Sequence, residues 1–256
     1  MLIENVSVVI IASNAEAKLR ECLDSLRDFS EVIVYENNST DKTVEIAQNY
    51  KNVKLTSGAF LGFGKTKNLA ASLSANEWVL SLDSDEVLDE NFVNSLKKMD
   101  LKSDTVYKIY RVNFYKDSQV KHCWGDETIV RLYNKSETSF ANKDVHEHVL
   151  EDRLDTKLLQ GVVKHYPYNT ITDFITKLDR YSTLFAQNNA GEKSSSPTKA
   201  FFNGVYSFIK TYIFKQGFLD GHVGLVIAFS HMATNFYKYM KLYELNEELK
   251  SSKDSK

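Results

Sequence analysis

The chain has 256 residues, 43% hydrophobic and 26% charged, with a formal net charge of -2; this ordinary balance for a globular protein gives no general case for nucleic-acid binding. Two prolines and ten glycines leave little room for disordered linkers, so the length admits one large domain, or one domain with an appendage. Cys22 and Cys123 form no CxxC pair, so neither a zinc cluster nor a disulfide framework is indicated, and a reducing cytoplasm fits.

The N-terminal MLIENVSVVIIASNAEAKL lacks a basic segment and turns polar after a short apolar run, which predicts a strand over 6–12 rather than a signal peptide. VSVVIIA is β-branched and nearly continuous, as in a strand covered on both faces. In AEAKLRECLDSLRDF, Leu19, Leu23 and Leu26 recur three and four apart, predicting a helix with one buried stripe. The alternation repeats: EVIVYE as strand, STDKTVEIAQNY as helix, NVKLT as strand, GKTKNLAASLS as helix, EWVLSLD as strand. Such βαβ units put every loop that follows a strand on one edge of the sheet, the edge that binds ligands. Three polar clusters fall there: SNAE, ENNSTD and DSDE.

The third cluster sets Asp83, Asp85 and Glu86 within four positions. Carboxylates this close raise one another's pKa unless a cation lies among them, which points to a metal; the competing reading is a solvated turn in which Asp85 or Asp89 caps a helix over ENFVNSLKKM. Beyond it, DTVYKIYRVNFY alternates with period two, and TIVRLYN and KLLQGVVKHYPY add two more predicted strands. After Thr170 the pattern is helical, with Phe174, Leu178, Tyr181 and Phe185 at helical spacing; AGEKSSSPTK is a loop. In TKAFFNGVYSFIKTYIFKQGFLDG, Phe201, Phe202, Val205, Phe208, Ile209, Tyr212 and Ile213 form a broad helical stripe flanked by Lys199, Lys210 and Lys215. HVGLVIAFSHMATNFYKYMKLY is apolar through Ala233, too short a run to span a bilayer. The expected organisation is an α/β domain over 1–169, a helical extension over 170–250 and a tail over 251–256.

The stretches VVIIASNAE, YENNSTDKT, GFGKTKNLAASLSANEWVLSLDSDE, RLYN, VHEHV and GFLDG, in this order over nearly the whole chain, resemble the inverting family-two glycosyltransferases, and within them the bacterial lipopolysaccharide-core branch. The resemblance implies a GT-A fold, that is, a Rossmann-like, mixed, mostly parallel sheet flanked by helices. It implies transfer of a sugar, expected to be a hexose, from a nucleotide-sugar donor, expected to be a UDP-sugar, to a lipid-linked lipopolysaccharide or lipooligosaccharide core acceptor. One departure stands out: Glu36 occupies the position where the family usually has Asp against the uracil base, so the donor pocket is remodelled by a methylene. The competing reading is a catalytically silent sugar- or nucleotide-binding homologue, which would be expected to have lost the acidic pair. A phosphatase with an aspartyl nucleophile needs its DxD after the first strand, and a sugar nucleotidyltransferase needs a glycine-rich loop there; neither is present.

On this resemblance the donor side comprises Ser13, Asn14, Glu16, Glu36, Asn38, Lys65, Lys67, Asn68, Asp83 and Ser84. Cations near a helix N-terminus oppose its dipole, so Lys65 and Lys67 imply an anion nearby unless they are solvated. Mg²⁺ or Mn²⁺ is expected on Asp83 and Asp85, with His165 as a further ligand or a hydrogen-bonded packing residue. Glu86 supports the site or caps the next helix. Inversion needs a base: Glu147 is the first candidate and Glu127 the second. Acceptor candidates are Trp124, Arg131 and His146. Trp124 could equally be core, and Arg131 could pin RLYN to an acidic strand. On an extended segment His146 and His148 face away from Glu147. A lipid-linked acceptor places the protein in the cytoplasm, peripheral at the inner leaflet of the cytoplasmic membrane through the aromatic stripe and its lysines; the alternatives are that the helices pack on the α/β domain and each other, or form a homodimer interface.

Overall fold

Strand β1 (Ile3–Ala12) sends alternate side chains into two different cores: Val6, Val8 and Ile10 into one, Val9 into the other. Period-two alternation with both faces covered is why its sequence reads as an unbroken apolar run. Truncating a residue such as Ile10, fully buried, to Ala would cost about 2–5 kcal/mol. The computed structural model describes residues 2–142 and 147–254, with side chains through residue 251. It divides into two compact units, one of Met1–Val112 with Asp126–Pro167, the other of Asn113–Gly125 with Tyr168–Lys256.

In the first unit β1 pairs in parallel with β2 (Phe29–Glu36) and β4 (Trp78–Asp83), and β2 with β3 (Val53–Ser57). The order β3-β2-β1-β4 therefore sets all four C-terminal ends on one edge, with Ala12 beside Glu36, Glu36 beside Ser57 and Ile11 beside Asp83. The crossovers carry α1 (Leu19–Asp24), α2 (Thr43–Gln48) and α3 (Phe63–Ser72). The first of these is shorter than its leucine stripe predicts. Leu26 is fully buried all the same, its amide bonded to Leu23 O at 3.1 Å, so the apolar spacing continues through a turn.

Beyond β4 the sheet turns mixed. It adds β5 (Glu86–Leu88), β6 (Thr105–Tyr115), β8 (Glu127–Asn134), β9 (Asp155–Leu158) and β10 (Val163–Tyr168), and α4 (Glu90–Leu96) follows β5. The predicted strand over 157–168 is thus two strands, interrupted near Gly161, whose φ of 98° suits glycine. Three-residue β5 lies antiparallel to β10 with Glu86 opposite His165, a pairing too short to leave a sequence signal. Asp89, not Asp85, caps α4, accepting from Phe92 N at 2.7 Å.

In the second unit β7 (Ser118–Gln119) pairs with the end of β6. α5 (Ile171–Asn189) opens on a capping box between Thr170 and Asp173, and α6 (Pro197–Ile209) on Ser196 with proline in the first turn. A π-helical turn (Lys210–Phe214) and a 3₁₀ turn (Gly217–Asp220) then reverse the chain into α7 (Gly221–Asp254). Here a Cβ on Gly224 would lie 1.8 Å from Gly217 O, so the reversal admits no side chain at that position. The Asp220 carboxylate accepts from the backbone amides of Lys121, His122 and Cys123.

Candidate active site

At the shared strand edge the loops after β1 and β2 are stitched together. Asn14 and Asn38 both adopt left-handed backbone, φ 49° and 51°, which asparagine tolerates better than most residues. Asn14 Oδ1 accepts from Thr40 N at 2.8 Å, Glu16 Oε2 accepts from Lys42 N at 3.1 Å, and Ser13 Oγ donates to Asn37 O at 2.9 Å. Glu36 is 4% exposed and accepts from its own loop at Ser39 N. That backbone hydrogen bond, with hydroxyls of Ser39 and Ser57, holds its pKa below the usual carboxylate range despite burial. The Glu36 carboxylate is therefore engaged by its own loop and the neighbouring strand end. Asn38 is exposed.

The centre of the site is Asp83, at the end of β4. Its Oδ1 accepts from Lys67 Nζ at 2.9 Å and its Oδ2 from Arg131 at 2.8 Å, while its amide donates to Glu86 at 2.9 Å. Lys67 is 2% exposed and reaches Glu147 Oε1 as well, also at 2.9 Å. Arg111, on β6, binds Glu86 at 2.9 Å and pairs with Glu127. Glu86 is fully buried, so its place is that of a supporting anion between two arginines, with Arg131 3.7 Å away. Burial pushes the Asp83 pKa up, but the charges of Arg131 and Lys67 outweigh it and hold the carboxyl well below its ordinary value. Burial first, then the charges of Glu86, Asp85 and Asp83, push the Cys22 thiol pKa well up.

Glu147 is positioned through α3. Asn68 grips Phe140 by both backbone groups, donating to its carbonyl and accepting from its amide, each at 2.9 Å. Phe140 forms a β-bridge with Val149, and Ala141 N donates to His148 O at 2.8 Å, which sets Glu147 facing Lys67. Asp85 Oδ1 and His165 Nε2 stand 3.8 Å apart, both partly accessible. Among the described residues no three His, Cys, Asp or Glu side chains form a metal cage. Asp85 and His165 supply the oxygen and nitrogen donor types that a divalent cation accepts, whereas both oxygens of Asp83 are engaged by Lys67 and Arg131.

Other predicted residues are distributed differently. Lys65 is exposed on the first turn of α3, and Ser84 is half-buried beside Asp83. Trp124 belongs to the second unit, stacked on Tyr168 at 5.4 Å. His146 lies outside the described residues. Arg111 was missed by sequence reasoning; its only signal is a basic residue inside an alternating strand, a pattern that solvent-facing positions share.

The family model "Glycosyl transferase family 2" matches residues 7–149. An uncharacterized glycosyltransferase of Rickettsia typhi is 29% identical over 95% of this chain and 88% of its own length. The lipopolysaccharide core biosynthesis glycosyltransferase LpsC of Rhizobium meliloti is 23% identical over 91% of this chain and 92% of its own. The crystal structure of TarS residues 1–349 from Staphylococcus aureus, in complex with UDP-GlcNAc, superposes with a TM-score of 0.47 at 15% identity, over 97% of this chain and 92% of that one.

Proposed function

Because the chain belongs to glycosyl transferase family 2, we propose that it moves a hexosyl unit, with inversion, from a UDP-sugar to a lipid-linked lipopolysaccharide or lipooligosaccharide core acceptor on the cytoplasmic side of the membrane. The observation that carries the reading is the meeting of Asp83 and Glu147 across Lys67 at the C-terminal edge of the parallel strands. The likeness to LpsC over nearly the full length of both chains supports the acceptor class.

Glu147 is the proposed base. It stands 16% exposed and takes the proton of the acceptor hydroxyl as that oxygen attacks the anomeric carbon from the face opposite the leaving diphosphate. Glu127, which pairs with Arg111 as Glu147 does with Lys67, is the second candidate. Lys67 and Arg131 keep Asp83 ionised at the donor end and place positive charge where the diphosphate is released. Asp85 and His165 are the residues that would hold Mg²⁺ or Mn²⁺; such a cation, when bound, neutralises charge growing on the leaving phosphate.

The test is consumption of a panel of nucleotide sugars by the purified protein with Mn²⁺. Glu147→Gln is expected to bind donor normally and to lose about 10²–10⁴-fold in turnover, the usual worth of positioned proton transfer, while Glu127→Gln retains most of its rate. Asp85→Ala is expected to abolish metal-dependent nucleotide binding. A large loss in Glu127→Gln with none in Glu147→Gln reverses the base assignment; full activity in EDTA removes the metal.

A further inference from the structure

Helix α6 packs through its small residues and displays its large ones. Ala200 and Gly204 are buried, Ser207 Oγ accepts from Asn235 Nδ2 of α7 at 2.8 Å, and Thr211 is hydrogen-bonded to His231 at 3.0 Å. At 3.6 residues per turn these positions form one face. A Cβ on Gly204 would come within 3.1 Å of Met232 O, so the two helices are close along it. The opposite face carries Phe202 (63% exposed), Tyr206 (59%) and Ile213 (50%), and Phe214 (70%) extends it through the π-helical turn. Phe208 links this surface to α7, its ring 5.1 Å from that of Phe229. A contiguous apolar surface of this kind marks an interaction site.

Charge identifies the partner. The whole chain carries -2, yet between Glu192 and Asp220 there is no acidic residue and there are four lysines: Lys193, Lys199, Lys210 and Lys215. A second copy docked symmetrically on this face would bring the same basic segments together with no acidic residue among them. An anionic bilayer surface matches both features, accepting rings at the headgroup boundary and ammonium groups among lipid phosphates. Among the described residues no helix is long and apolar enough to cross a membrane, so contact is made lying on the surface. We propose that the outward face of α6 and the π-helical turn is a docking surface for anionic lipid bilayers.

Flotation of the full chain with vesicles of phosphatidylcholine, alone or mixed with phosphatidylglycerol, tests this without donor or acceptor and so independently of glycosyl transfer. Binding is expected on the mixed vesicles, weakening as salt rises. The pair Phe202→Ser and Phe214→Ser, and separately Lys210→Glu, are each expected to lower it about tenfold or more. All three positions are exposed, so thermal unfolding should be unchanged; Lys215 is left intact because its Nζ lies 3.4 Å from Cys123 O. The proposal is overturned if the intact chain fails to float with the mixed vesicles at low salt, or if the variants float equally well. It is also overturned if sedimentation shows a dimer that the phenylalanine substitutions dissociate.

Discussion

Lys67 joins two carboxylates, Asp83 and Glu147, that lie 64 residues apart in the sequence, and it is 2% exposed. An ammonium so placed is desolvated, and its removal takes a partner from Glu147, 16% exposed, while Arg131 still holds Asp83, so the cost is that of an unsatisfied polar group, about 1–3 kcal/mol, and not that of a wholly uncompensated charge. Lys67→Met is therefore expected to lower the unfolding free energy by roughly that amount in urea. A double-mutant cycle with Glu147→Gln should return a coupling of about 0.5–3 kcal/mol; additive effects would mean that the pair is not made in solution. Asp83 adds a pH dependence. Its folded pKa is depressed below the ordinary 3.8, so its stabilisation is fully present above that value and is lost as pH falls through the folded pKa. The acidic cluster was legible as a place needing cations, because like charges this close need neutralising; that Lys67 and Arg131 stand on Asp83 was not. Arg111, Arg131 and Lys67 reach Asp83 from separate elements, and such convergence of distant residues leaves no local pattern.

The π-helical turn after α6 meets α7 at the pair Thr211 and His231, and the second of these has an electrostatic cost in acid. Burial first, then the charge of Lys215, lowers the His231 pKa from 6.5 to about 4. Its folded state is neutral, so between those values the unfolded chain binds a proton that the folded one refuses, and stability falls as pH drops from 6.5 towards 4. Between pH 7 and pH 5 the loss attributable to this residue is about 1–2 kcal/mol. His231→Gln should show a correspondingly shallower decline in urea midpoint over the same interval. The boundaries of α6 were readable from Ser196 and Pro197, a cap and a first-turn proline. The aromatic stripe, read as a surface for the membrane with packing on the other helices as the alternative, has Phe201, Phe202, Ile209 and Ile213 exposed, and small side chains along the other face let α7 approach closely.

The parallel half of the sheet was legible throughout, since continuous β-branched runs separated by helices leave few topologies to choose from. The mixed half was less so: β5 and β9 are short edge pieces held by pairing rather than by any pattern of their own. The clasp of Asn68 on Phe140 bears on the order in which the molecule assembles. It spans 72 residues, so loop-closure entropy disfavours its forming before the local contacts of the parallel strands. During synthesis the strands β1 to β4 leave the ribosome well before Glu147 exists in the chain, and the crossover units can form among themselves. An Asn68→Ala chain is accordingly expected to refold at an unchanged rate and to unfold faster, visible in the two arms of a denaturant chevron; slowed refolding would put the clasp in the folding nucleus. On this account the half of the edge built from β1 and β2 takes shape early, and the carboxylate opposite it is the last piece to arrive.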